Sequence, residues 1–176
     1  MAASTISRRG FLGAGFRARR VPLRPPWAAA EARFARQCTR CYECLRACTP
    51  GVLKTDDSGL PVVDFSDGPC TFCGRCAVAC TAGALRPSAA DEAPWTARAS
   101  ISDSCLTRRG VMCTVCREQC PAAAISLRRV VGGVPLPQVE TVFCNGCGAC
   151  VALCPVGSVQ VVATDDAQAP REALCT

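Results

Sequence analysis

The chain has 176 residues and a formal charge of +6, with 17 cysteines, 13 prolines and no histidine. Its large aromatics are six Phe, two Trp and one Tyr, too few for a large aromatic-filled core, so something besides side-chain packing must hold it together. The missing histidine removes Cys/His zinc sites and every His-dependent acid–base or nucleophilic arrangement, which leaves cysteine chemistry.

Residues 1–35 form an arginine-rich segment expected to be irregular. Ser7 to Gly15, SRRGFLGAG, opens like a twin-arginine export signal. Arg17, Arg19, Arg20 and Arg24 then stand where an apolar run of about 7–15 residues belongs. A paired arginine without its apolar run predicts retention in the cytoplasm. Gly13-Ala-Gly15-Phe-Arg-Ala18 formally fits a dinucleotide-binding pattern, but no buried strand precedes it and no acidic residue sits at the ribose position. RPPW, Arg24 to Trp27, reads as a proline-stiffened linker or as a docking handle with Trp27 as its exposed anchor. No window approaches 18 consecutive apolar residues, so no membrane span is expected.

Sixteen cysteines fall into four groups: Cys38, Cys41, Cys44 and Cys48; Cys70, Cys73, Cys76 and Cys80; Cys105, Cys113, Cys116 and Cys120; Cys144, Cys147, Cys150 and Cys154. Three groups share the spacing C-x2-C-x2-C-x3-C, and the third carries five extra residues in its first gap. Gaps of 21 residues between Cys48 and Cys70 and 23 between Cys120 and Cys144 imply a duplicated unit. Each gap reads as a hairpin, with a turn at Asp56–Gly59 in one and near Gly132-Gly133 in the other. The fold class expected is α+β: two tandem bacterial-ferredoxin-like modules of short hairpins and short helices, at 36–88 and 103–164. A linker rich in Pro, Ala and charge, 89–102, joins them, and a tail follows at 165–176.

A [4Fe–4S] cube needs one thiolate on each of four irons. A C-x2-C-x2-C loop wraps three corners, and in two-cluster ferredoxins the last cysteine of each run serves the other cluster. The crosswise rule groups Cys38, Cys41 and Cys44 with Cys80, and Cys70, Cys73 and Cys76 with Cys48. In the second module it groups Cys105, Cys113 and Cys116 with Cys154, and Cys144, Cys147 and Cys150 with Cys120. Up to four clusters are expected. Prolines follow Cys120 and Cys154 directly, whereas Cys48 is followed by Thr-Pro and Cys80 by Thr-Ala. Gly74, Gly146 and Gly148 sit between ligand positions, where a missing Cβ lets backbone amides approach inorganic sulfide.

Structural zinc has no use for a third cysteine at the same interval four times over, and disulfide scaffolds do not repeat one tight spacing. Cys175 reads as a tail thiol without a partner. Four clusters of formal charge about −2 each would bring the holoprotein near −2, so nucleic-acid binding has little support. Asp56-Asp57, Asp91-Glu92 and Asp165-Asp166 lie in turn, linker and tail contexts and read as solvated charge. Neither substrate turnover nor a small-molecule substrate is expected, and the chain reads as a carrier rather than an enzyme.

The SRRG head, RPPW, CTRCYECLRAC, the stretched third group and CNGCGACVALCPV together resemble the NapF family of ferredoxin-type proteins, from Ser7 to about Val162. That family serves periplasmic nitrate reductase systems. The resemblance implies a cytoplasmic iron–sulfur accessory protein that binds the catalytic molybdoenzyme subunit before export and assists its maturation through 4Fe–4S electron or cluster supply. The alternative is a multi-cluster ferredoxin that relays electrons to a reductase.

Overall fold

The computed structural model describes residues 22–86 and 93–164. The twin-arginine head, Asp91-Glu92, Asp165-Asp166 and Cys175 lie outside the described residues. In chain order the elements are α1 (Glu31–Gln37), α2 (Glu43–Arg46), β1 (Leu53–Thr55), β2 (Pro61–Val63), a 3-10 turn (Phe65–Asp67) and α3 (Arg75–Val78). These are followed by β3 (Ala97–Ile101), a second 3-10 turn (Thr107–Arg109), α4 (Val115–Glu118), β4 (Ile125–Arg128), β5 (Leu136–Val139), α5 (Ala149–Ala152) and β6 (Val159–Ala163). Short helices and short antiparallel strands make this an α+β chain. Helices α2 to α5 are single turns of four residues, far below the length at which a helix is stable alone.

Both expected hairpins form. Leu53 pairs with Val63 in β1–β2, and Ile125 with Val139 in β4–β5. Asp56 makes the first turn: its carboxylate accepts from Ser58 N–H at 2.9 Å and Leu60 N–H at 3.0 Å, an Asx arrangement that fixes the chain reversal. It also receives Arg24 at 2.8 Å. Burial alone would raise this carboxyl, but the hydrogen bonds from Ser58, Leu60 and Arg24 outweigh it and hold it down at about 2. Asp56 is therefore a structural anchor rather than the solvated charge its turn context suggests.

A further strand pairing closes each module. In the second, β3 and β6 pair from Ala97–Ala163 to Ile101–Val159; in the first, the corresponding contact is a single bridge between Ala28 and Leu85. Strand β3 lies inside the segment expected as linker. Its sequence, ARASI, alternates apolar with polar residues, but the two it buries fully are Ala97 and Ala99, and alanine has little strand propensity, so the strand is held by its pairing with β6.

The described part of the amino-terminal segment, 22–35, also departs from the irregular, free coil expected. Helix α1 plants Phe34 in the core with no exposure, and Pro25 and Pro26 are fully buried. Trp27 is half-buried against the first core, and its backbone N–H donates to Pro94 O at 2.7 Å. RPPW is thus neither a free linker nor an exposed handle. Arg24 fastens it, donating to Glu31 at 2.7 Å and to Pro61 O at 3.1 Å while its guanidinium lies over the Phe34 ring at 5.3 Å.

Two cores result. The first gathers Phe34, Val52, Leu53, Leu60, Phe65, Ala77, Ala84 and Leu85; the second is smaller, with Ala99, Ala124, Ile125 and Val159. The modules touch. Val151 and Val161 of the second pack on the first core, and the Trp95 ring meets Phe65 and Phe72 edge-on at 6.2 and 5.7 Å.

Candidate metal centres

Three of the cysteine loops share a backbone device. Residues Arg40, Phe72 and Gly146, each just before the second cysteine, have φ of 57°, 53° and 74°; Tyr42, Gly74 and Gly148, just after it, have 62°, 74° and 80°. Two left-handed residues three positions or fewer apart coil the chain tightly enough to turn three thiols inward. The third loop lacks both. Thr114 has φ of −123°, and the extra residues make a 3-10 turn ended by Gly110 at φ 81°. The insertion is a longer route round the same space with one left-handed residue instead of two.

A second device follows each last cysteine. Gly51, Gly83, Ala123 and Gly157 all have positive φ, and each N–H donates to the carbonyl of Cys48, Cys80, Cys120 or Cys154 three residues earlier, at 3.0 to 3.2 Å. That turn sends the chain back over the thiol. The sequence signal for it, a glycine three residues after the fourth cysteine, is present in three groups and replaced by alanine in one.

Four cavities result, each lined by four cysteines. The first takes Cys38, Cys41, Cys44 and Cys80, with Phe34 and Leu85 behind them, and the second Cys48, Cys70, Cys73 and Cys76. The third takes Cys105, Cys113, Cys116 and Cys154, and the fourth Cys120, Cys144, Cys147 and Cys150. Counting their open mouths, they hold about 340, 330, 340 and 310 Å³ respectively. Every cavity combines three cysteines of one group with the last of its partner group. Among the described residues no three such side chains converge tightly enough to share a single ion. The four thiols instead stand round a space, which suits a ligand offering a separate iron to each sulfur.

The electrostatics match that use. Burial, then the neighbouring Cys38, pushes the Cys44 thiol up to about 11; burial, then Cys70, pushes Cys76 up to about 12. Burial likewise takes Cys150 up to about 12, with Cys147, Cys144 and Cys120 adding to it. Without metal these thiols stay protonated, because four thiolates cannot share an apolar space; iron binding releases the protons. The third cavity differs. Burial alone would raise Cys105 and Cys154, but Thr107 and Ser158 reverse it and both thiols fall below the ordinary range. The Thr107 hydroxyl lies 3.2 Å from Cys105 Sγ and the Ser158 hydroxyl 3.2 Å from Cys154 Sγ. They are the two buried polar side chains among the described residues.

Backbone amides also reach sulfur. Leu85 N–H donates to Cys80 Sγ and Phe72 N–H to Cys70 Sγ, both at 3.4 Å. Ala124 N–H reaches Cys120 Sγ at 3.3 Å, Ala99 N–H reaches Cys144 Sγ at 3.4 Å, and Ser158 N–H reaches Cys154 Sγ at 3.2 Å. Such bonds favour the more negative state of a cluster and so set its potential. The glycines between cysteines have an additional role. A Cβ on Gly146 would overlap the Ala97 carbonyl, and one on Gly148 would overlap the Phe65 ring, whereas one on Gly74 would meet open space.

This is the architecture of a two-module iron–sulfur protein of the ferredoxin type. The 4Fe-4S dicluster domain family matches the chain twice, over residues 37–84 and 110–158, and 4Fe–4S clusters are its cofactors. The ferredoxin-type protein NapF of Haemophilus influenzae is 46% identical over 139 residues, covering 79% of this chain and 78% of that protein. NapF of Escherichia coli K12 is 38% identical over 153 residues, 87% of this chain and 92% of its own. The ferredoxin-type protein NapG of Escherichia coli K12 is 34% identical over 157 residues, 78% of this chain and 68% of its own. The chain belongs to the NapF family of ferredoxin-type proteins and is an iron–sulfur protein of the Nap system. Among the described residues no helix is long and apolar enough to cross a membrane.

Proposed function

We propose that the sixteen cysteines hold four [4Fe–4S] clusters crosswise, and that the protein is a cytoplasmic accessory factor that binds the catalytic subunit of periplasmic nitrate reductase and assists its maturation before export. The crosswise assignment is supported by the cavities: Cys80 lines the first, Cys48 the second, Cys154 the third and Cys120 the fourth. A bound [4Fe–4S] cluster takes up and releases one electron. This chain's part is to supply four sulfurs to each cluster, whose protons leave to solvent as iron binds, and to aim N–H and hydroxyl donors at them. The maturation role rests on one observation, the identity to NapF proteins over most of the chain. Cytoplasmic retention rests on Arg17, Arg19, Arg20 and Arg24 interrupting the apolar run of the head.

Anaerobic co-purification of tagged protein from the cytoplasmic fraction tests this reading. Recovery of the unexported precursor of the nitrate-reducing molybdoenzyme is the expected result. Its consistent absence under conditions that retain all clusters would overturn the maturation role. A second reading, an electron relay to a reductase, is favoured by the contact between modules at Cys70 and Cys147. A relay keeps its iron in the presence of apo-subunit, whereas a cluster donor loses it.

A further inference from the structure

We infer that the four cysteine cavities form a linear series in the order first, second, fourth, third, joined between modules by a junction built from Cys70, Cys147 and Trp95. This rests on the crosswise cluster assignment above.

Chain order would run the series from the second group to the third, because the linker joins those two. The contacts run otherwise. Cys70 N–H donates to the Cys147 carbonyl at 2.8 Å, directly linking a cysteine of the second cavity to one of the fourth. Trp95 makes the same connection through its side chain. Its ring meets Phe72, which lines the second cavity, at 5.7 Å, and its indole N–H donates at 2.8 Å to Asn145 O, which lines the fourth.

Gly148, also in the wall of the fourth cavity, is the third element. It admits the Phe65 ring where any Cβ would overlap it. A further backbone hydrogen bond, from Trp27 N–H to Pro94 O in the joining segment, again leaves a residue lining the second cavity. None of these contacts leaves a residue that lines the first cavity or the third. They therefore lie at the two ends.

Within each module the neighbouring cavities share a core: Cys38, Cys44, Cys48, Cys70, Cys76 and Cys80 border one, and Cys116, Cys120, Cys144, Cys150 and Cys154 the other. Transfer along the series moves one electron per step and makes or breaks no bond. One-electron carrier proteins supply and remove it at the first and third cavities. The stretched loop Leu106–Met112 is therefore at a terminus, where extra residues do not obstruct the junction.

Pulsed and continuous-wave electron paramagnetic resonance of the reduced, full-length holoprotein tests the order, with iron and sulfide counted in the same samples. Cys38→Ala and Cys41→Ala combined with Cys105→Ala and Cys113→Ala leave the inner pair. Cys70→Ala and Cys73→Ala combined with Cys144→Ala and Cys147→Ala leave the outer pair. The inner pair is expected to give dipolar-split signals and the outer pair uncoupled ones. Uncoupled signals from an inner pair that retains two clusters, or splitting from the outer pair, would overturn the order. Loss of all iron from the inner-pair variant would instead overturn the ligand assignment, and the order with it. Gly148→Leu in the otherwise native protein gives an independent reading: coupling between modules should be lost and coupling within modules kept. An unchanged spectrum at full iron content would contradict the junction.

Discussion

The first module is sealed by side chains and the second by backbone. In the first, a single bridge at Ala28–Leu85 suffices because Phe34, Phe65, Val52 and Leu60 fill the core and Arg24 ties the entering chain to Glu31 and Asp56. In the second, where the buried residues are Ala99, Ala124, Ile125 and Val159, closure is carried by five strand pairs between β3 and β6. The same contrast reaches the cavities. In the first module Thr71 brings a hydroxyl to the exposed Cys73 thiol, whereas in the third cavity the buried Thr107 and Ser158 bring hydroxyls to both Cys105 and Cys154. A duplicated motif thus meets one requirement, four thiols round a space, with two different supports.

Cysteine substitutions should show the largest effect and treat both modules alike. Cys48→Ala and Cys73→Ala are each expected to remove the same cluster, as are Cys120→Ala and Cys150→Ala, with a loss of about a quarter of the iron in each case. Iron analysis with Mössbauer spectroscopy checks it; loss of different clusters within a pair would break the crosswise rule.

Next come the glycines after the second ligand, which separate the modules. Gly148→Leu should destabilise by about 3 kcal/mol or more, since the Phe65 ring cannot yield without opening the junction. Gly74→Ala, with the same left-handed backbone but open space, should cost only about 1 kcal/mol. Thermal unfolding of the anaerobic holoproteins distinguishes them.

Arg24→Ala should destabilise the first module by about 1–3 kcal/mol and leave the second unchanged, because Arg24 is largely buried and serves Glu31, Asp56 and Pro61 at once. Limited proteolysis followed by mass spectrometry would locate the loosened region. The smallest effect is expected from Ser158→Ala. Removing its hydroxyl from Cys154 Sγ weakens the more reduced state of the third cluster by about 0.5–1 kcal/mol, a fall of roughly 20–40 mV in one potential out of four. Redox titration followed by electron paramagnetic resonance resolves it.

Spacing made much of this legible from residues alone. Cysteine intervals picked out the four groups, from which each cavity draws three members of one and the last of its partner, and turn residues at 56–59 and 132–133 marked both hairpins. What escaped was everything set by long-range contact. Strand β3 turns Ala97, Ala99 and Ile101 toward the core, and an alternation built mostly on alanine does not stand out from the Pro- and Ala-rich segment around it. RPPW read as linker or handle because the burial of Pro25 and Pro26 depends on Arg24 finding partners at Glu31, Asp56 and Pro61. Gly148 read as a cluster-facing glycine, yet its space is taken by Phe65 from the other module, a constraint no local pattern contains.

The most direct test of the account is the iron and labile sulfide content of native protein purified without oxygen. Four clusters held by sixteen cysteines predict about sixteen irons and sixteen sulfides per chain, all in four-iron units by Mössbauer spectroscopy. A stable product with about half that content, or with zinc in place of iron, would contradict it.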